Sequence, residues 1–511
     1  MTFQSILFKE KEDRLAEKSL QELDFFIDLN LDQIVAAITT GKEEYNLKPF
    51  FYNPLSRLSA IQYRQEIMQD LEKEDLFQNI TTFAHKMRRM RQHFSLLEKL
   101  DYLYHREGWF LETVAIYCEA VSSLEQDVIQ AEIHSPGFLS FKNYLSDYVN
   151  SDYFTTLVNE TRKLKKELSQ VRYCLQLKGL KVQVRKYAGE SDYSTEIEKT
   201  FAKFKQQDAK DYSVELLPRT GMSHVEAQIL RLVAKIYPEL FKSLIDYYHK
   251  YQNFLDERIV LFDREVQFYI SFLEFMSRFK KSGLSFCYPQ ITRKTKELYS
   301  KQSFDLALAN KLLKENSTVI CNDFFLKGQE RIFVVTGPNQ GGKTTFARTF
   351  GQLHYLSSLG CPIPGSSAKL FLFERIFTHF EKKEDIKELR GKLEDALMRI
   401  HSILEQATPN SIIIMNEIYS STTIQDALFL AQRTMEKIIQ LDILCVCVTF
   451  IDELASFSEK IVSMVAAVDP QDHTLRTYKI ERRPADGRAY AISLAKKYQL
   501  TYDCLKERIK L

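Results

Sequence analysis

Chain breakers are scarce in this sequence. Only 16 glycines and 12 prolines serve 511 residues, which points to long helices and makes any cluster of glycines informative. No apolar run approaches the roughly 20 residues that a membrane helix needs; Ile443–Val448, among the longest, falls far short. No membrane segment is therefore expected. The charged start, with Lys9, Glu10, Lys11, Glu12 and Asp13, has no apolar core behind it, so no secretory address is expected either. Neither sign of charge is in excess: 70 basic against 68 acidic residues leave a net +2. Any surface for nucleic acid has to be local. The 8 cysteines are scattered, and Cys445 and Cys447 stand one residue apart on a strand-like run, not at metal-ligand spacing. Reduced thiols and a cytoplasmic location follow as the expectation. With 45% hydrophobic and 27% charged residues the chain is of globular type, and its length calls for two or three domains.

The glycines that are present gather in Gly337-Pro338-Asn339-Gln340-Gly341-Gly342-Lys343-Thr344. This fits the phosphate-binding pattern of Gly, four residues, then Gly-Lys-Ser/Thr. The β-branched run Arg331–Thr336 reads as a buried strand before it, and Thr345–Phe350 can open a helix after it. Glycine lets the backbone N–H groups turn inward around phosphate oxygens, and the helix N-terminus adds partial positive charge. Lys343 would reach the β- and γ-phosphates of a nucleotide, and the Thr344 hydroxyl would hold Mg²⁺. Thr345, the first residue past the motif, is counted with the nucleotide-binding set.

The first half of the chain reads as helical. From Pro54 to Phe94, Leu58, Ile61, Ile67, Leu71 and Leu76 recur at near-helical spacing. A basic cluster follows at His85, Lys86, Arg88, Arg89 and Arg91, either a phosphate contact or a solvated helix face. Helix is expected over 98–135, a break at Ser135-Pro136-Gly137, and a second helix from about Phe141 to Leu177. Lys181–Arg185 alternates like a half-exposed strand, with Tyr212–Leu216 as its expected partner and a short helix from Thr195 to Gln207 between them. Lys178, Lys181, Arg185 and Lys186 give this insertion a basic face; an ordinary surface hairpin is the alternative. After Pro218 the helical pattern resumes, interrupted by Pro238. Glu239–Lys281 contains neither Pro nor Gly and predicts one arm of roughly 60 Å. Ser282-Gly283 ends it and sets the domain boundary near residue 284.

From residue 285 the texture is α/β. Strand-like runs at Thr318–Cys321, Arg331–Thr336, Ser411–Met415, Ile443–Phe450 and Ile461–Val468 alternate with helical stretches, including Asp385–Gln406 and Asp426–Gln440. This predicts a sheet with parallel strands covered on its faces. Hydrolysis needs an acidic group at the end of a second buried strand, and Ile412–Met415 runs into Asn416-Glu417. Glu417 is the candidate to orient or deprotonate water. Asn416 stands where an Asp normally helps hold Mg²⁺.

Residues Thr336–Thr344 resemble the signature loop of MutS-family mismatch-repair ATPases. The similarity continues through Phe373–Thr378, Asn416-Glu417-Ile418 with Thr422, Thr423 and Asp426, then Thr449–Leu454 and Gly487–Ala495. It runs from about 330 to 505. More weakly, Asn53–Met90, the paired long helices and the basic insertion are similar to the family's core, lever and clamp. The resemblance implies a multidomain α and α/β protein. Residues 1–284 would form a helical core and lever region with a clamp-like insertion at about 179–218. Residues 285–511 would form an ABC-type P-loop ATPase domain with C-terminal dimerisation helices. The core-like helices begin near residue 54, so the expectation is a short paralogue lacking the mismatch-recognition domain.

The resemblance further implies a homodimer that binds ATP with Mg²⁺, in which Thr422 and Thr423 contact the nucleotide of the opposite subunit and Asp426 lies at the seam. Asn339 would face the γ-phosphate, and two clamps would enclose duplex or branched DNA. The departures surround the reaction centre. Asn416-Glu417 replaces Asp-Glu, Tyr419-Ser420-Ser421 replaces a glycine- and arginine-containing signature, and Phe450 replaces a histidine. Phe110-Leu111-Glu112 and Phe272-Leu273-Glu274 match the family's wedge motif in letters, but both fall in helical stretches. Two other readings stand beside a DNA-dependent ATPase: a non-hydrolysing ATP-gated scaffold, and an ATPase acting on structured RNA or ribosomes.

Overall fold

A computed structural model describes residues 3–10, 13, 24–179, 181–190, 221–381, 391–469, 471, 475–485, 500–502 and 505–506. The chain forms two compact units. One comprises Met1–Phe3, Lys73–Ile133 and Phe138–Asp263; the other comprises Gln4–Glu72, His134–Gly137 and Arg264–Leu511. The division falls inside the helix Glu257–Lys281, whereas the sequence pattern set its boundary near 284. Among the described residues no helix is long and apolar enough to cross a membrane.

The first unit is built on helices that bury aromatic stripes. Glu74–Leu97 packs on Leu103–Gln130, and the latter also meets Asp152–Ser169 and Pro238–Tyr251. Phe110, Tyr117, Phe154, Tyr247, Tyr251 and Phe254 are buried there. Part of the basic cluster is absorbed by this packing: Lys86 pairs with Glu119 at 2.9 Å, and Arg91 pairs with the buried Asp263.

Three expectations need correction in this unit. The expected break falls at 131–135, slightly earlier than Ser135–Gly137, because Pro136 already opens Pro136–Val149; proline suits that first position, where its missing N–H costs nothing. The single helix expected from about Phe141 to Leu177 is two, Pro136–Val149 and Asp152–Ser169, and Tyr173–Lys178 is a strand paired antiparallel with Lys181–Lys186. Gly179, at φ +60°, supplies the left-handed turn that closes this hairpin. The expected partner Tyr212–Leu216 and the helix Thr195–Gln207 lie outside the described residues, as does the stretch Gly487–Ala495 with most of the C-terminal segment. The single 60 Å arm is two helices, Pro238–Tyr251 and Glu257–Lys281. Asp256 starts the second one: its Oδ1 accepts the amides of Arg258 and Ile259 at 3.0 and 2.9 Å, and its Oδ2 accepts the Tyr144 hydroxyl. A capping aspartate breaks the pattern without Pro or Gly.

In the second unit a six-stranded sheet runs in the order Arg375–His379, Ser411–Asn416, Leu444–Val448, Ile332–Thr336, Ile461–Val468, Arg476–Arg482. The first five are parallel and the last is antiparallel to its neighbour. Leu444–Val448 and Ile332–Thr336 are buried along their whole length, which explains their continuous apolar composition. The helix Lys343–Ser358 is buried on nearly all sides, and Ile424–Gln440 lays Ala427, Ala431, Thr434, Met435 and Ile438 inward. A four-stranded sheet places Gln290–Thr292, Ser367–Phe371, Leu298–Ser303 and Asn322–Leu326 side by side. The strand expected at Thr318–Cys321 is thus displaced to Asn322–Leu326. Its alternating Phe324 and Leu326 point inward, while the β-branched run before it pairs with no strand among the described residues.

Helix Leu58–Leu71 belongs to this second unit and buries Arg64 completely. Arg64 Nε donates to Leu7 O at 3.0 Å and Nη1 to Leu359 O at 3.1 Å, just beyond the end of Lys343–Ser358. The rings of Phe8 and Phe268 lie 5.3 and 5.1 Å from its guanidinium carbon. Arg64→Met keeps the volume but orphans two buried carbonyls. It is expected to lower stability by about 2–5 kcal/mol, read as a fall in the denaturation midpoint in urea with an unchanged slope.

Candidate nucleotide site

The strand Ile332–Thr336 delivers the chain into the glycine loop at the centre of the parallel sheet. Gly337 has φ +111° and Gly342 φ +94°, backbone that L side chains adopt at a cost. A Cβ on Gly337 would lie 3.0 Å from the Ala466 amide nitrogen; one on Gly341 would lie 2.9 Å from Ala466 Cβ. Glycine is therefore required twice by close approach to the neighbouring strand. Gly342 caps Lys343–Ser358, and the first intrahelical bond is Phe346 N–H to Gly342 O at 2.9 Å. The amides of Lys343, Thr344 and Thr345 precede that bond, which is the arrangement that holds an anion at a helix N-terminus.

Lys343 is buried, and its ammonium donates to Gly337 O at 2.8 Å and Pro338 O at 3.2 Å. The ring of Phe450 lies 4.4 Å from the same nitrogen. Burial pulls the Lys343 pKa below its ordinary value; Glu417 and Asp452 oppose that shift and Arg476 adds to it. The Thr344 hydroxyl donates to Asn416 Oδ1 at 2.8 Å, so the loop and the end of the second buried strand meet. Asn339 and Gln340 are exposed at the loop tip, and Arg476 Nε reaches Asn339 O at 3.2 Å.

Strand Ser411–Asn416 lies between two parallel neighbours, with Asn416 opposite Val448. Glu417 N–H donates to Val448 O at 2.9 Å, and the residue sits at φ +56°, followed by Tyr419 at φ +59°. Two left-handed non-glycine residues in three positions mark a tightly determined turn, since such backbone typically costs about 1–3 kcal/mol per residue. Tyr419 anchors it: the ring is buried and its hydroxyl lies 2.9 Å from Thr434 Oγ1. Thr423 caps Ile424–Gln440. Its hydroxyl donates to Asp426 Oδ2 at 2.8 Å, and Thr422 Oγ1 lies 3.5 Å from the same oxygen. These residues form an exposed cluster of their own, and no hydrogen bond joins Thr422 or Thr423 to the glycine loop of the same chain. The two wedge-like motifs are core: Phe110 and Phe272 are buried within helices.

An oxygen from the loop hydroxyl and one from the second strand are what a phosphate-loop Mg²⁺ site takes from protein. Thr344 and Asn416 converge and fit the ion in kind, as hard oxygen donors, but they bring no charge. Among the described residues no cluster of three or more His, Cys, Asp or Glu is placed to hold a metal. The charge balance would rest on Glu417 and on the phosphates themselves.

Phe450 already stood among the departures around the reaction centre, but its contact with Lys343, and that of Arg476 with the loop, carried no sequence signal. Phe450 shares the Lys343 ammonium from the end of a strand more than a hundred residues away, and Arg476 reaches the loop from the antiparallel strand Arg476–Arg482. Tyr478, at φ +57°, brings its backbone within 3.7 Å of a Cβ built on Gly342. Only the sheet order brings these residues to the loop.

Residues 333–509 match the family model described as MutS domain V. The DNA mismatch repair protein MutS of Orientia tsutsugamushi (strain Boryong) is 29% identical over 223 residues, which is 41% of this chain and 24% of that protein. The MutS of Acholeplasma laidlawii (strain PG-8A) is 30% identical over 189 residues, 36% of this chain and 22% of the relative. That of Petrotoga mobilis (strain DSM 10674 / SJ95) is 26% identical over 180 residues, 34% and 22% of the two. The matched part thus spans less than a quarter of the length of these curated relatives. The family model covers the region that carries the glycine loop, and there this chain is similar to MutS domain V.

Proposed function

We propose that this chain is an ATP-dependent DNA-binding protein of the MutS type that works as a homodimer. The observation that carries the reading is the glycine loop: two enforced glycines, a buried lysine and the Thr344–Asn416 bond at the head of a buried helix. In this reading the loop amides from Gly337 to Thr345 hold the phosphates, with Asn339 towards the γ-phosphate and Lys343 between β and γ. Thr344 and Asn416 would hold Mg²⁺, which when bound neutralises charge on the phosphates. Glu417, at the head of its strained turn, orients or deprotonates the attacking water. Thr422 and Thr423 of a second copy complete the site, since in their own chain they engage Asp426.

DNA would be held through its backbone. The hairpin Tyr173–Lys186 exposes Lys178, Lys181, Arg185 and Lys186, and phosphate contacts of this kind need no sequence. A second reading, an ATP-gated scaffold that does not hydrolyse, is favoured by the neutral Asn416 and by the apolar Phe450 beside Lys343.

Lys343→Ala is expected to abolish ATP binding in a calorimetric titration; retained affinity would remove the loop assignment. In single-turnover assays Glu417→Gln should hydrolyse ATP at least about 100-fold more slowly than wild type. Equal rates near background would favour the scaffold. The double variant Lys181→Ala/Arg185→Ala should weaken duplex DNA binding uniformly across sequences and lower the slope of log K against log salt by roughly 2. An unchanged slope would exclude the hairpin as the DNA contact.

A further inference from the structure

We infer that Phe450 is a lid on the Lys343 ammonium that phosphate must displace, so that it sets how tightly the site takes a nucleoside triphosphate. The inference rests on the nucleotide-binding reading above. An ammonium has three N–H donors. Two of the directions around Lys343 Nζ are taken by Gly337 O and Pro338 O, at 2.8 and 3.2 Å, and the Phe450 ring lies on it at 4.4 Å. A phosphate oxygen reaching this nitrogen has to take the place of one of the three.

The carbonyls are the contacts that cannot yield. Gly337 is pressed against Ala466 at φ +111°, and Pro338 is buried. Phe450 is 51% exposed, and it follows Thr449 at the end of a buried strand. Its ring has solvent to turn into, so it is the contact that gives way. While the ring lies on the ammonium its negative face stabilises the cation. That stabilisation opposes phosphate binding, because it is lost when the ring leaves. The residue next but one is Asp452, which opens the short helical turn Asp452–Ser456 and acts on the Lys343 charge.

Two variants of the full chain test this with ATP in Mg²⁺ buffer. Phe450→Leu keeps an apolar side chain but removes the ring face, and titration calorimetry should find ATP bound roughly two- to tenfold more tightly than by wild type. Phe450→Trp places a fluorophore on the ammonium. Its emission should shift when ATP is added, with wild type, whose one tryptophan is Trp109, as the baseline. Unchanged or weaker ATP affinity in Phe450→Leu overturns the inference, and so does a silent Phe450→Trp, while wild-type ATP binding leaves the nucleotide reading standing. Failure of wild type to bind ATP overturns both.

Discussion

Ala466 limits what the glycine loop can be. It sits on the strand paired with Ile332–Thr336; a methyl group on Gly341 would collide with it, and one on Gly337, at φ +111°, would meet its amide nitrogen at 3.0 Å. Overpacking at such a site typically costs about 1–3 kcal/mol and displaces backbone. Displaced backbone here means misdirected amides, because the loop's function lies in the direction of its N–H groups. The parallel pairing of Val465 with Thr336 fixes the height of the loop over the sheet, and the buried helix Lys343–Ser358 fixes its far side. Thr344 reaching Asn416 and Lys343 folding back on Gly337 both follow from that placement.

The chemistry of the site is uneven. Its anion-holding part is complete: left-handed glycines, amides at a helix start and a buried cation whose charge is partly sustained by Glu417. Its reaction part is thinner. Asn416 contributes an oxygen without charge, and the ring of Phe450 offers no hydrogen bond. Glu417 remains, on a turn held by Val448 O and by the buried Tyr419. In the proposed reading, binding and hydrolysis therefore rest on different residues of the site and are separable questions.

Much of the ATPase-like half was legible in the sequence because its signals are local. The β-branched run before the loop, the glycines within it and the apolar run before Asn416-Glu417 each announce themselves within ten residues. The failures came where partners are distant or where a single side chain decides. Thr318–Cys321 had strand composition but, among the described residues, no neighbour to pair with, while Asn322–Leu326 had one. The long arm is interrupted by one aspartate that caps backbone amides and ties to Tyr144. Tyr173–Lys178, read as the end of a helix, is the strand that pairs with Lys181–Lys186 across the turn at Gly179. Lys343 and Phe450 were both legible as residues of the loop region, but the contact between them follows from the sheet order.

The central claim is that the loop Gly337–Thr345 binds ATP and that a second copy completes the site through Thr422 and Thr423. Hydrogen exchange with and without Mg²⁺-ATP tests both parts in one experiment. The account predicts slower exchange of the amides of 337–345 together with slower exchange at 422–426, the latter vanishing on dilution to monomer. Protection absent from 337–345 would contradict the claim outright; protection at 422–426 that persists in the monomer would contradict the shared site.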